Sequence, residues 1–396
     1  MSRQVGLQRN RGSESRSADI ERTIDMPERF AHLGEFSDLV ALLEGKRPFC
    51  PIADPGPETQ QRVRESLSFS EPDDAPSDVQ VLKRWEHEGV AGEVVTWTVG
   101  FGPRTEAWLL RPAGTTDPLP GIVALHDHGG FKFFGKEKIA DGPGGEESGV
   151  VNIRLKLYEG RAFVNELVRR GFVVLVHDVF LWGSRRFPMD VMPERIHQLV
   201  AQTGGPETER YNEAARFHEH LVAKYAALLG TTITGIVSAE DRVAVRYLQS
   251  RPDVQAQRVG CVGLSGGGCR AALLQATCND IRATVIVGMM CTYRALLDHY
   301  IDPNTWMFLP NGWSQYGDWP DLAACRAPSP LLVQYLNHDH LFTLEGMQAA
   351  DARLATHYAS VGHPENYDGE FYDGPHRFSV EMQNVAFDWL VRQLQA

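Results

Sequence analysis

No run of 18 or more apolar residues occurs in this chain, so no segment reads as a transmembrane helix. The first 20 residues are rich in Arg, Ser and Glu and lack an apolar stretch, which excludes a secretory signal there. Positive charge is also scarce. The net charge of −12 argues against a nucleic-acid or anionic-membrane surface, because either needs cationic patches. Six cysteines are present, none as C-x-x-C, and several lie in apolar segments. Buried free thiols in a reducing compartment, the cytoplasm, are the expectation.

What remains is ordinary globular material. A length of 396 residues with 43% hydrophobic and 23% charged residues suits one large domain with insertions, or two domains. Residues 1–90 read as a mobile N-terminus and a helical extension, with helical patterns at Phe36–Leu43 and Glu58–Leu67 and a linker at Pro72–Pro76. Those helices could form a homodimer arm or pack on their own core.

Residues 91–396 alternate strand and helix. Val94–Val99 and Ala107–Arg111 read as paired strands around Gly100–Pro103. Further strands are expected at Gly121–Leu125, Phe172–Val176, Val259–Val262, Ala283–Val287, Leu331–Leu336 and Asn366–Tyr372. Amphipathic helices separate them, the last at Val380–Leu394. Apolar strands alternating with such helices predict an α/β fold, a mostly parallel sheet covered on both faces. Lid-like insertions are expected at about 131–160, 180–232 and 292–328. Their aromatics Phe131, Trp306, Trp313 and Tyr316 are candidates for a substrate pocket, or simply pack the inserts on the core.

The chemistry concentrates at Gly263-Leu264-Ser265-Gly266-Gly267. This is G-x-S-x-G between an apolar strand and a helix. Glycines there let strand and helix cross closely, and they leave Ser265 exposed on a strained turn beside a helix N-terminus. A serine hydroxyl needs a base. His376, in Asp373-Gly374-Pro375-His376, follows the last strand and can reach over the sheet. Asp339, in Asn337-His338-Asp339-His340-Leu341-Phe342, follows Leu331–Leu336 and can orient it. Two amides should hold the oxyanion: that of Gly266, and one from His126-Asp127-His128-Gly129-Gly130, with His128 favoured and Gly129 second.

These four segments, in the chain order His126-Asp127-His128-Gly129-Gly130, the elbow around Ser265, the Asp339 loop and the His376 loop, resemble across residues 94–396 the α/β-hydrolase superfamily, and within it the branch of dienelactone hydrolases and acetylxylan-esterase-like enzymes. The resemblance implies an eight-stranded fold, ester hydrolysis and a Ser265–Asp339–His376 triad. Ser265 stands where dienelactone hydrolases carry cysteine, which points to the esterases. Asp127 replaces the glycine of the usual His-Gly pair. The expected activity is therefore a serine carboxylesterase acting on a small-molecule ester; the alternative is cleavage of a peptide, thioester or C–C bond by the same triad.

Other polar clusters have plainer readings. His-Asp-His occurs at 126–128 and again at 338–340, which would suit Zn²⁺ or Mn²⁺ were the two to converge. In a strand, alternate residues share a face, so each triplet offers two ligands at most. No metal or other cofactor is expected. His218-Glu219-His220 reads as a solvated helix face, and Lys132, Lys136 and Lys138 as a solvated charge run. Asp178 should fix a loop, and Arg270 should form an ion pair.

Overall fold

The computed structural model describes residues 30–69, 75–298 and 301–395. Its centre is a nine-stranded sheet in the order β1-β2-β3-β5-β4-β6-β7-β8-β9. The strands are β1 Ser77–His87, β2 Val90–Thr98, β3 Thr105–Pro112, β4 Leu119–Leu125, β5 Val173–His177, β6 Val254–Leu264, β7 Ile281–Val287, β8 Leu331–Leu336 and β9 Tyr367–Tyr372. Pairing is antiparallel from β1 through β3 to β5 and parallel from β5 to β9. Every residue of β5 and β8 is buried, as strands covered on both faces must be.

From β2 onward the order is the eight-stranded arrangement that the resemblance implies; β1 is an addition at the edge. It lies within 1–90, where the sequence reading expects only mobile chain and helices. Its residues are almost all exposed, and Lys83, Arg84 and Glu86 leave no apolar alternation to read. Charges on an outer strand also discourage further pairing. Trp85 anchors it edge-on against Trp108, with ring centroids 6.1 Å apart.

Two apolar cores flank the sheet. One joins the helices Ile233–Ser250, Gly266–Thr277 and Leu344–Ser360; the other joins Ser148–Tyr158, Phe163–Arg169 and Val380–Leu394. The helix Pro57–Leu67 belongs to the first core through Val63 and Leu67. The helix Asp38–Lys46 buries none of its residues. A third, small cluster around Ile196, Tyr211 and Ala214 lies under the second insertion, whose helices Glu194–Val200 and Glu207–Leu228 pack on each other. All six cysteines are buried and free. Among the described residues no single helix is long and apolar enough to cross a membrane. The first part of the N-terminal reading, residues 1–29, and most of the Pro72–Pro76 linker lie outside the described residues.

Candidate active site

At the C-terminal end of β6 the chain turns into the helix Gly266–Thr277 with Ser265 at φ 59° and ψ −121°. A side chain rarely adopts that backbone region, which costs about 1–3 kcal/mol and persists only where the surroundings enforce it. Here they do: the Ser265 N–H donates to the Val287 carbonyl at 2.9 Å, and the Ser265 carbonyl accepts from the Cys269 N–H at 2.8 Å. The glycines of the motif are dictated by crowding. A methyl group on Gly263 would collide with the backbone of Gly267, and one on Gly267 with the Leu125 carbonyl of β4.

The imidazole of His376 hangs from the loop after β9, and the carboxylate of Asp339 from the loop after β8. His376 Nδ1 lies 2.6 Å from Asp339 Oδ2. The other carboxylate oxygen accepts the Leu341 N–H at 2.8 Å, so both oxygens are committed. Backbone bonds tie the two loops together: Asn337 N–H to the Tyr372 carbonyl at 2.9 Å and His338 N–H to the Gly374 carbonyl at 3.1 Å. His376 Nε2 is buried without a hydrogen-bond partner in a side chain that lines the same cavity as Ser265. Of the three residues expected from the sequence, Ser265 and His376 line one cavity and Asp339 meets His376 from behind it.

The loop after β4 closes the third side. A methyl group on Gly266 would stand 2.5 Å from the His128 amide nitrogen, so the two residues expected to hold the oxyanion pack directly against each other. Asp127 explains its own departure from the usual glycine. It is fully buried, bonded to Tyr158 Oη at 2.6 Å and paired with Lys138 Nζ at 3.1 Å. That pair pins the loop from beneath. Asp127→Asn leaves Lys138 buried without its carboxylate, and stability should fall by about 3–5 kcal/mol in a urea titration; a loss under about 1 kcal/mol would show the pair to be dispensable.

Two sequence expectations are overturned here. Lys132, Lys136 and Lys138 are not a solvated run: all three are buried, facing Glu219, Asp178 and Asp127 respectively. Nor is His218-Glu219-His220 a solvated face, since His218 and Glu219 are both buried. Lysine stems reach inward in this loop because carboxylates from other segments await them, and local composition carries no sign of such partners. Asp178 fixes its loop as expected, accepting from Lys136 N–H at 2.9 Å and Ser184 N–H at 2.8 Å. Arg270 does form an ion pair, with Asp241 at 2.6 Å, and it also reaches the His126 carbonyl at 3.4 Å.

The two His-Asp-His triplets share one cavity only through His128 and His340. Burial, with Arg270 and Lys138 nearby, pushes the His126 imidazole well below the usual histidine range. His338, by contrast, is solvent-exposed against Asp373. Among the described residues no three His, Cys, Asp or Glu side chains group as a metal site requires.

The cavity above Ser265 has a volume of about 190 Å³. Ile153, Leu157, Met289 and Leu341 give it an apolar wall; His128, His340, Lys156 and Thr305 give it polar edges. None of the four aromatics expected there lines it. Trp313 is buried in the core with its Nε1–H on the Asp318 carbonyl, and Tyr316 lies under Arg62. Trp306 bonds His220, and Phe131 stacks on Phe134. The inserts do supply the wall, but through Ile153 and Leu157 of the helix Ser148–Tyr158 and through Pro303–Thr305. The first signal was legible as helical periodicity; the second carries none.

Three comparisons with known proteins agree on this architecture. Residues 242–310, which span the elbow, match the family model for the C-terminal part of BAAT and acyl-CoA thioester hydrolases. The candidate hydrolase YtaP of Bacillus subtilis (strain 168) is 24% identical over 297 residues, covering 75% of this chain and 86% of its own. A candidate acetyl xylan esterase of Bacteroides fragilis NCTC 9343 superposes with a TM-score of 0.60 at 19% identity, over 80% of this chain and 74% of that one. The glucuronoyl esterase of Solibacter usitatus gives 0.60 at 15% identity, over 87% and 94%. With its strand order from β2 onward and these neighbours, the chain has the α/β-hydrolase fold, and the solved structures it resembles include a candidate acetyl xylan esterase and a glucuronoyl esterase.

Proposed function

We propose that this protein is a serine hydrolase that cleaves a carboxylic ester of a small or medium-sized substrate through an acyl-enzyme. The observation that carries the reading is the His376–Asp339 pair at 2.6 Å, with the unpartnered Nε2 of His376 lining the cavity that Ser265 also lines. Asp339 accepts a hydrogen bond from the Nδ1–H, so Nε2 carries a lone pair and takes the proton from Ser265 Oγ. The oxygen attacks the acyl carbon. The amides of Gly266 and His128, with Gly129 as the alternative second donor, receive the oxyanion. His376 then protonates the departing alcohol, and water repeats the sequence to release the acid. The esterases among its neighbours in fold support an ester as the bond. The volume of about 190 Å³ favours a short acyl group.

A second reading has one observation behind it. The match of residues 242–310 to the acyl-CoA thioester hydrolase family supports a thioester as the bond cleaved by the same serine. The test is a pre-steady-state burst with p-nitrophenyl acetate, butyrate and octanoate, with and without chelator, beside the matching thioesters. A stoichiometric burst indifferent to chelator, faster for acetate and butyrate than for octanoate, is expected. Absence of a burst, or abolition by chelator, overturns the serine mechanism; a strong preference for thioesters selects the second reading.

A further inference from the structure

Glu219 belongs to no motif and sits on the helix Glu207–Leu228 of the second insertion, yet its buried carboxylate touches three residues from two other segments, the loop after β4 and the stretch around Thr305. Oε2 takes His128 Nε2 at 2.9 Å and also Lys132 Nζ, and Oε1 accepts from Thr305 Oγ1 at 3.2 Å. His128 itself is held at every polar atom of its ring. Its Nδ1 accepts the Gly130 N–H at 3.1 Å, which assigns the ring proton to Nε2 and makes Nε2 the donor to Glu219. Trp182 packs against the ring edge-on with centroids 5.1 Å apart and donates its Nε1–H to the His128 carbonyl at 3.4 Å.

We propose that Glu219 is a positioning residue for the oxyanion loop, acting through the His128 ring to fix where the His128 amide points. The inference rests on the serine-hydrolase reading above. His128 carries both the ring and the amide, so a ring held at both nitrogens restrains the Cα and, with it, the peptide that adjoins Gly266. Of the ring's two hydrogen bonds, the one to Gly130 lies within the loop and moves with it. Glu219 is anchored on another element and supplies the external reference. A pair made only to neutralise Lys132 would leave His128 free to turn. Burial works to raise the Glu219 carboxyl, but His128 and Lys132 outweigh it and hold it well below the ordinary carboxylate range, so the acceptor stays charged.

The experiment compares wild type, Glu219→Gln, His128→Phe and the double variant by burst kinetics with p-nitrophenyl acetate. Glutamine keeps the shape but is neutral, so its one carbonyl oxygen replaces the charge-assisted bonds from Lys132 and His128 with weaker, uncharged ones. The acylation rate of Glu219→Gln should fall by about 10–100-fold, while KM stays within about threefold and the burst amplitude remains stoichiometric. His128→Phe keeps the packing on Trp182 and loses the contact from the other side; it should be slowed alike. The double variant should be no slower than His128→Phe alone.

A Glu219→Gln enzyme that acylates at the wild-type rate overturns the assignment. So does a double variant in which the losses multiply. A raised KM with unchanged rate would place the role of Glu219 at the pocket wall, through Thr305, and would also overturn it. Should Glu219→Gln unfold because Lys132 is left buried without its carboxylate, Lys132→Met/Glu219→Leu removes both buried charges together with the His128 contact, and it faces the same criteria. A wild-type enzyme with no burst instead brings down the serine reading, and this assignment with it.

Discussion

Replacing Ser265 with alanine is expected to lower kcat by about four to six orders of magnitude and to abolish the burst, while the protein stays folded. The hydroxyl is the only part of the site removed. The amides of Gly266 and His128 and the apolar wall of Ile153, Leu157, Met289 and Leu341 remain, so a residual rate some 10³–10⁴ above that in water should persist. Alanine keeps the Cβ and therefore the same strained backbone at φ 59°, so stability should change by no more than about 0.5 kcal/mol. No neighbouring thiol can replace the serine. Cys269, one helical turn on, is buried and its thiol is pushed far up by that burial, and Cys261 is raised to about 12. The measurement is single-turnover kinetics beside a circular-dichroism melt. A variant that keeps its burst would remove Ser265 from the chemistry.

The parts of this site that were legible in the sequence are those the backbone dictates locally. The elbow needs glycines where a strand and a helix cross, and the acid and base need loops directly after strands, the acid's an apolar one and the base's the edge strand Tyr367–Tyr372; both leave marks within a few residues. Strands such as Leu331–Leu336 declare themselves because burial on both faces leaves them mostly apolar, with Gln334 the one amide. The illegible parts depend on partners far along the chain. Lys132 reads as surface until Glu219, 87 positions later, is brought against it. The strand Ser77–His87 shows no alternation because it is solvated on both sides, and only its pairing with β2 makes it a strand. Trp313 was an attractive pocket residue by composition, yet its ring is fully buried and its N–H satisfied at 2.9 Å inside the insert. An aromatic in an insertion is more economically used to hold the insertion down than to face a substrate.

Asp339→Asn makes the sharpest demand on the assigned roles, because it changes the charge and hydrogen-bonding of one group and little else. Asparagine can still accept the Leu341 N–H through its carbonyl oxygen, as Asp339 Oδ1 does at 2.8 Å. Its NH₂ then faces His376 Nδ1, which must become an acceptor. The ring proton moves to Nε2, where it points at Ser265 and cannot receive the serine proton. The loops should not move, since Asn337 N–H to Tyr372 and His338 N–H to Gly374 hold them independently of the carboxylate. The expected result near neutral pH is a fall in kcat of about 10⁴-fold, with KM changed little. Asp339→Asn combined with His376→Ala should be no slower than His376→Ala alone, because a base already absent cannot be further misoriented. Steady-state kinetics on the three variants with p-nitrophenyl butyrate decide the matter: a loss under about tenfold in Asp339→Asn, or multiplicative losses in the pair, would mean that another group orients or replaces His376.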